Sequence, residues 1–173
     1  MMRTLILFCC IAVVYSEMVA KGYPEPISYI CDFSENLCNF HGNSTLMEWK
    51  IVNSTTGDLN RFLQTNATDT LDQNKYVLSR CYTVTSPKLC LSFRYKLTGS
   101  DVTKLFVKQK GGDKYQTWES KKEMVNQGWT EININVSLLP LQKEVQFLFK
   151  AILGGVSGNT VGIDDVILAP YEC

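Results

Sequence analysis

Alternation of apolar and polar side chains is the feature that most limits how this chain can fold. In segment 90–97, CLSFRYKL, every second side chain from Leu91 to Leu97 is apolar and those between them are polar or charged. Neighbouring side chains of a strand point to opposite faces, so the pattern predicts a half-buried β-strand. Segment 129–136, WTEININV, repeats it, with Asn135 on the polar face. No stretch of ten or more residues has a helical period, so the fold is predicted to be all-β.

The other predicted strands suggest two packed sheets. Segment 143–153, KEVQFLFKAIL, has an inward row from Val145 to Ala151, and Leu148 and Ile152 on the opposite side indicate a central strand that is buried on both faces. Further strands are predicted at 29–33, 47–52, 75–80, 82–85, 105–109, 115–119 and 160–168. Many short strands without helices are typical of a two-sheet β-sandwich.

The N-terminus has the pattern of a secretory signal. Arg3 precedes an uninterrupted apolar run at 5–14, and Ser16 supplies a small residue where cleavage is expected. Residues 1–16 are therefore predicted to be a signal peptide, residues 17–28 an extended lead-in with Gly and Pro, and residues 29–173 one folded domain. The chain is expected to be secreted.

Charge and hydropathy argue against a nucleic-acid partner and against a transmembrane segment. Removal of Arg3 with the signal leaves 16 basic and 17 acidic side chains, a formal net charge of −1, so no nucleic-acid surface is expected. No second apolar run approaches the length of a membrane span, so no transmembrane segment is predicted.

Five cysteines remain after the signal, and thiols in the secretory pathway tend to pair. An odd number leaves at least one of them without an intrachain partner, and the spacing alone does not select a pairing. The five are Cys31, Cys38, Cys81, Cys90 and Cys173.

Four N-x-[ST] sequons indicate a glycoprotein, with their acceptor asparagines on exposed turns or outward strand positions. The acceptors are Asn43, Asn53, Asn66 and Asn135. Asn135 falls on the polar face of its predicted strand, as glycosylation requires.

Catalysis has little support in the sequence. His41 is the only histidine and lies in a turn-like segment, where an exposed side chain is expected, and no nucleophile, zinc or phosphate-loop motif is present. The chain is therefore predicted not to be an enzyme. Trp49, Trp118 and Trp129 offer an alternative, a lectin-like sugar platform, although packing over the edge of the core is the commoner use of such residues.

Two adjacent carboxylates, Asp164 and Asp165, lie inside the apolar segment GIDDVIL. Strand alternation predicts that they point to opposite faces, so that at most one is buried. A buried carboxylate needs backbone N–H groups, an Arg or Lys, or a hard cation such as Ca²⁺ as its partner. A cation would need further oxygen ligands, and Asp32, Asp69 and Asp72 are candidates only if the fold brings them close.

The order of these landmarks resembles the MAM domain, an extracellular module of meprin, neuropilin and a receptor-type tyrosine phosphatase. The resemblance covers residues 29–173, and its most specific part is the closing G-x-[IV]-x-[IL]-D-D-[IV] pattern with a final cysteine. The other matching segments are CDFSENLC (31–38), EWKI (48–51), DTLDQNKYVLS (69–79), CLSFRYKLTGSDVTKLFV (90–107), TWES (117–120) and QGWTEININV (127–136).

The resemblance implies a jelly-roll β-sandwich of two antiparallel sheets with disulfides Cys31–Cys38 and Cys90–Cys173. Cys81 is then unpaired, with a strained Cys81–Cys90 pairing as the alternative. Some members of the family hold a cation, which here implies Asp32, Asp69 and Asp164 or Asp165 as ligands of a structural Ca²⁺. Ser34 stands where the family usually has an acidic ligand. No other cofactor is expected.

The family uses this module for adhesion and oligomerisation. The chain is therefore predicted to bind an extracellular protein or a second copy of itself, with carbohydrate binding as the alternative. Cys81 is predicted to share an exposed strand face with Ser79 and Thr83, where it would be captured as an intermolecular disulfide; a buried, inert thiol is the competing interpretation.

Overall fold

The computed structural model describes residues 28–42, 49–54, 61–67, 74–100, 102–110, 117–154 and 157–173. Within them the chain forms eleven β-strands and one short 3₁₀ helix at Lys122–Met124. The strands are β1 (Tyr29–Cys31), β2 (Lys50–Asn53), β3 (Arg61–Asn66), β4 (Asn74–Leu78), β5 (Tyr82–Thr83), β6 (Lys88–Thr98), β7 (Lys104–Lys110), β8 (Thr117–Glu119), β9 (Thr130–Ser137), β10 (Glu144–Ile152) and β11 (Thr160–Ala169).

The strands form two antiparallel sheets that pack face to face. The front sheet has the order β2-β3-β11-β6-β9, with β1 also paired to β11. The back sheet has the order β4-β10-β7-β8, with β5 also paired to β10. This arrangement confirms the predicted all-β sandwich.

The core lies between the sheets and is built from the alternating positions of the long strands. On β6, Phe93 is buried and contacts the ring of Phe149 on β10 at a centroid distance of 5.5 Å. Trp118 on β8 packs its ring against Phe93 at 5.6 Å. Each such side chain contributes about 1.5–3 kcal/mol on burial. Strand β10 lies between β4 and β7, which confirms that it is central, but Leu148 and Ile152 on its outer face are only half-buried, so the expectation of burial on both faces is not met.

One strand was not predicted from the sequence. Strand β3 has the sequence RFLQTN, and its buried positions are Leu63 and Thr65. Only one of these two is apolar, so the alternation was too weak to detect. The ends of the other strands differ from the prediction by a few residues, and positions 47–48 and 115–116 lie outside the described residues.

Two disulfides form, at the pairings that the family resemblance implies. Cys31 is bonded to Cys38, and Cys90 at the start of β6 is bonded to Cys173. Among the described cysteines only Cys81 is free. The alternative Cys81–Cys90 pairing is wrong, because Cys90 is bonded elsewhere.

Candidate binding surfaces

A β-bulge explains the two adjacent aspartates. Ile163 and Val166 are both buried in the core, and the register of β11 against β6 shifts between Asp164 and Ile167. Two residues therefore occupy the interval between inward positions, and Asp165 adopts a left-handed φ of 47° to allow it. The prediction that the two carboxylates point to opposite faces is wrong, because the bulge places both on the outer side of the front sheet.

Arg94 neutralises both carboxylates. Its Nη2 donates to Asp164 Oδ2 at 3.0 Å, and its Nε lies 2.7 Å from Asp165 Oδ2. The Asp164 side chain is 3% exposed, whereas that of Asp165 is 42% exposed. Burial raises the pKa of Asp164 above its usual value, against the opposing effects of the Asp165 backbone N–H and Arg94. Of the partners considered from the sequence, two are present, the Arg94 guanidinium and the backbone N–H of Asp165, which donates to Asp164 Oδ1 at 2.9 Å.

Two aromatic rings pack beside this ion-pair network. Trp129 contacts Phe62 edge to face at a centroid distance of 5.0 Å, and the Arg94 guanidinium carbon lies 5.7 Å from the Trp129 ring. Both rings lie over Gly162, where a Cβ would come within 3.2 Å of Phe62 and 3.3 Å of Trp129. Sequence reasoning missed this cluster, because it joins residues from three strands and a loop.

The described aspartates do not by themselves fit a hard cation. Asp164 and Asp165 are engaged by Arg94, and Asp32 Oδ1 accepts hydrogen bonds from the backbone N and the hydroxyl of Ser34. Those hydrogen bonds lower the pKa of Asp32. Among the described residues no group of three His, Cys, Asp or Glu side chains is placed to hold a metal. Asp69, a predicted ligand, lies outside them, as does Asp72.

The three tryptophans are used for packing rather than displayed. Trp49 is buried, Trp118 packs against Phe93 and against Tyr95 at 5.2 Å, and Trp129 packs against Phe62. None of them is exposed, so they do not form an open sugar platform. His41 is exposed and its backbone bridges to Leu78.

The described sequons belong to the front sheet. Asn66 on β3 and Asn135 on β9 are exposed and lie on its outer side, and exposed Asn53 ends β2. Asn135 Oδ1 accepts a hydrogen bond from the backbone N of Cys173, which leaves its Nδ2, the atom that carries a glycan, available. Asn43 lies outside the described residues.

Cys81 lies between β4 and β5 and is exposed, with its Sγ 3.6 Å from Glu144 Oε2. Burial and, secondly, the Glu144 carboxylate raise the pKa of this thiol. The prediction that Ser79 shares its exposed face is wrong. Ser79 is buried and its hydroxyl accepts a hydrogen bond from the backbone N of Phe147.

Four exposed apolar side chains belong to segments that the strand topology brings to the same end of the sandwich. The β9–β10 loop and the C-terminal segment meet there, with Leu138 N donating to Pro87 O and Lys88 paired with Glu172 at 2.8 Å. Exposed Ile30 on β1 pairs with Ile167, at the end of β11 nearest this loop cluster. We call the set Ile30, Leu139, Leu141 and Tyr171 the apolar pole; they are 70%, 42%, 95% and 62% exposed.

Leu141 is the most exposed member of the apolar pole and is conformationally strained. Gln142 N donates to Leu139 O at 3.0 Å, which closes a tight turn with Pro140 and Leu141 at its centre. Leu141 has a φ of 69°, a value that favours Gly or Asn at this turn position. Sequence reasoning missed it because a Leu-Pro-Leu segment carries no usual turn signal at its third residue.

Several solved structures share this fold at low sequence identity. The CBM22-1 xylan-binding domain of Paenibacillus barcinonensis Xyn10C matches 86% of this chain and 97% of its own at 10% identity and a TM-score of 0.56. The CBM22-1-GH10 modules of Clostridium thermocellum xylanase 10B match 82% of this chain and 28% of their own at 15% identity and a TM-score of 0.54. An arabinose-bound MgGH51 α-L-arabinofuranosidase matches 78% of this chain at 14% identity and a TM-score of 0.56, and this chain spans 23% of it.

In the described part of the chain no helix is both long and apolar enough to cross a bilayer.

Family membership rests on a sequence match over nearly the whole domain. The profile of the family described as MAM domain, meprin/A5/mu, matches residues 31–173, from the first disulfide-bonded cysteine to the last. The chain belongs to the MAM domain family.

Proposed function

We propose that this protein is a secreted, non-catalytic adhesion module that binds a protein partner through the apolar pole. The observation that carries the proposal is the position of its exposed apolar side chains. Of the six large apolar side chains exposed among the described residues, four belong to the apolar pole, and the other two are Tyr76 and Val102. Single exposed apolar residues are ordinary, but several of them at one end of a domain suit a contact surface.

Leu141 supports this role more than its neighbours do. It combines 95% exposure with a left-handed backbone. A leucine in that conformation costs about 1–2 kcal/mol, and nothing is recovered by burying its side chain in this fold. Burial of the Leu141 side chain against a partner would offset that cost, which is a physical reason for a leucine at this position.

A second copy of this chain is the partner that we favour. The predicted mature chain has a formal net charge of only −1, so two copies do not repel each other strongly. Cys81 lies close to Glu144, the residue that begins β10 directly after the loop of Leu139 and Leu141. A disulfide between two Cys81 thiols would therefore make contact through the apolar pole permanent.

Carbohydrate binding is the second candidate, because the fold is shared with a domain described as xylan-binding. At 10% identity that likeness concerns the fold alone. The packing of Trp118 and Trp129 against other rings argues against a stacking platform for neutral sugars. Secretion itself rests on the predicted signal at residues 1–16, which lie outside the described residues.

Sedimentation velocity in a Cys81→Ser background tests the proposal without the covalent bond. The sedimentation coefficient should rise with concentration for this protein and stay that of a monomer when Leu141→Ser and Tyr171→Ser are added. Tyr76→Ser with Val102→Ser is the matched control and should still associate. A monomer at every concentration, together with saturable binding to neutral oligosaccharides on a glycan array, would replace this proposal by the carbohydrate one.

A further inference from the structure

The outer side of the back sheet collects lysines. On β7 the residues Lys104, Phe106, Lys108 and Lys110 alternate with the buried Leu105, Val107 and Gln109, so the first four point outward. Lys150 on β10 is paired with Phe106 on one side and with Tyr76 of β4 on the other. We call Tyr76, Phe106, Lys108, Lys110 and Lys150 the lysine face.

Positive charge on the lysine face is incompletely balanced. Lys104 is paired with Glu119 at 2.6 Å, and Glu144, the first residue of β10, is engaged by the Cys81 thiol. Lys108, Lys110 and Lys150 form no ion pair with any described residue. Four lysines against two glutamates give the described strands on this side of the sheet a net charge of +2, although the predicted mature chain has a formal net charge of −1.

Two aromatic rings hold the central lysine. Lys150 Nζ lies 5.6 Å from the Tyr76 ring centroid and 5.9 Å from that of Phe106. The rings fix the ammonium group between them, and Tyr76 remains 39% exposed. The result is an ammonium group with an aromatic ring on either side. Such a site suits an anionic group attached to a ring whose C–H groups can contact the aromatic rings.

The opposite side of the sandwich also carries lysines, Lys50 and Lys96, but its other cations are neutralised. There Arg94 is neutralised by two aspartates and Lys88 by Glu172. The exposed sequon asparagines Asn66 and Asn135 also lie on that side. Glycans at those positions would cover the front sheet, whereas none of the described sequons lies on the lysine face.

We propose that the lysine face binds a linear sulfated polysaccharide of the glycosaminoglycan type. Outward residues along β7 are spaced about 6.8 Å apart, so the lysines form a row that a polymer with repeated sulfates can follow. Protein interfaces are depleted in lysine, so a protein partner is the less fitting occupant of this face. The proposal concerns a different surface from the apolar pole and does not depend on self-association.

Heparin is the probe, and its affinity is measured as a function of salt. The affinity should fall as salt rises, because binding lysines release the counterions of the polyanion. Lys108→Ala with Lys150→Ala should reduce the slope of log affinity against log salt by about one unit per lysine removed. Lys50→Ala with Lys96→Ala removes the same charge from the front sheet and should leave the slope unchanged.

Three outcomes would overturn the inference. The first is no retention of the protein on heparin at low salt, and the second is an equal loss in both double variants, which would indicate net charge rather than a site. The third is that a polyglutamate peptide competes as well as free heparin does at the same concentration of charge. That result would assign the lysine face to acidic protein segments. Circular dichroism of each variant establishes that the sandwich is folded before binding is compared.

Discussion

At the scale of single residues, Arg94 is the side chain that allows β11 to carry two adjacent aspartates. Asp164 is almost fully buried, and its only cationic partner in the described structure is this guanidinium. A buried carboxylate left without a partner is strongly destabilising, whereas a paired one is close to neutral. The stability of the bulge should therefore depend on Arg94 more than on either aspartate.

We predict that Arg94→Met lowers the free energy of unfolding by about 3 kcal/mol at neutral pH. Arg94 lowers the pKa of Asp164, so its removal raises that pKa further in the folded state. The folded variant then binds a proton more tightly than the unfolded chain, and its deficit should shrink as pH falls toward the unfolded pKa of Asp164. Urea denaturation at neutral and mildly acidic pH measures this. Lys96→Met, two residues along the same face, should change stability by less than about 0.5 kcal/mol.

Leu141 gives a prediction in which stability and binding change in opposite directions. Leu141→Asn places a residue that tolerates left-handed backbone at the turn position, so the free energy of unfolding should rise by up to about 1 kcal/mol. The same change removes the most exposed apolar group of the apolar pole and should weaken self-association. A loss of stability would mean that the leucine side chain supports the fold, and would count against its role as a contact residue.

The Arg94 site also shows what the sequence could and could not predict. A buried carboxylate that needed a cationic or hydrogen-bonding partner was predicted from Asp164 and Asp165 alone. The partner lies 70 positions away in the chain and is fixed by the β6–β11 register, which single-sequence patterns do not supply. The bulge at Asp165 then broke the alternation on which the predicted side-chain directions rested.

At the scale of elements, strands with clean alternation were predictable and short mixed ones were not. Strands β6, β9 and β10 each place apolar side chains on one face over several residues, and all three were found where expected. Strand β3, with Thr65 at a buried position, gave no such signal. The lysine face depends on the pairing of β4, β10 and β7, and so it became visible only with the structure.

The two disulfides should differ in their contribution to stability. Cys90–Cys173 joins residues separated by 83 positions, whereas Cys31–Cys38 spans 7. In the chain-entropy model the longer closed loop contributes about 4.5 kcal/mol and the shorter about 2.4 kcal/mol. We therefore expect Cys90→Ser with Cys173→Ser to lower the denaturation midpoint more than Cys31→Ser with Cys38→Ser. The reverse order would mean that local packing around the first loop outweighs loop entropy.

At the scale of the whole molecule, the sandwich separates three surfaces. The front sheet carries the described sequons, the back sheet carries the lysine face, and the apolar pole lies at one end between them. Under the functions proposed above, separate surfaces would let one small domain carry glycans, bind a polyanion and contact a protein at the same time. Multiple weak contacts of this kind strengthen adhesion by raising the effective concentration.

A covalent dimer through Cys81 is expected when the protein is secreted into an oxidising environment. Non-reducing electrophoresis should show a band at twice the monomer mass that disappears in Cys81→Ser. Glu144→Gln removes a negative charge that raises the pKa of the thiol, so it should increase the thiolate fraction and the rate at which the dimer forms. A monomer both with and without reductant would show that Cys81 does not link two copies.

Aggregation of protein-coated beads tests the central claim most directly, because it measures adhesion between copies of this module. Beads that carry the Cys81→Ser protein should cluster. Beads that also carry Leu141→Ser and Tyr171→Ser should remain dispersed, while those with the control changes Tyr76→Ser and Val102→Ser should cluster as before. Equal clustering of all three kinds, or none with the unaltered apolar pole, would contradict the assignment of adhesion to that surface.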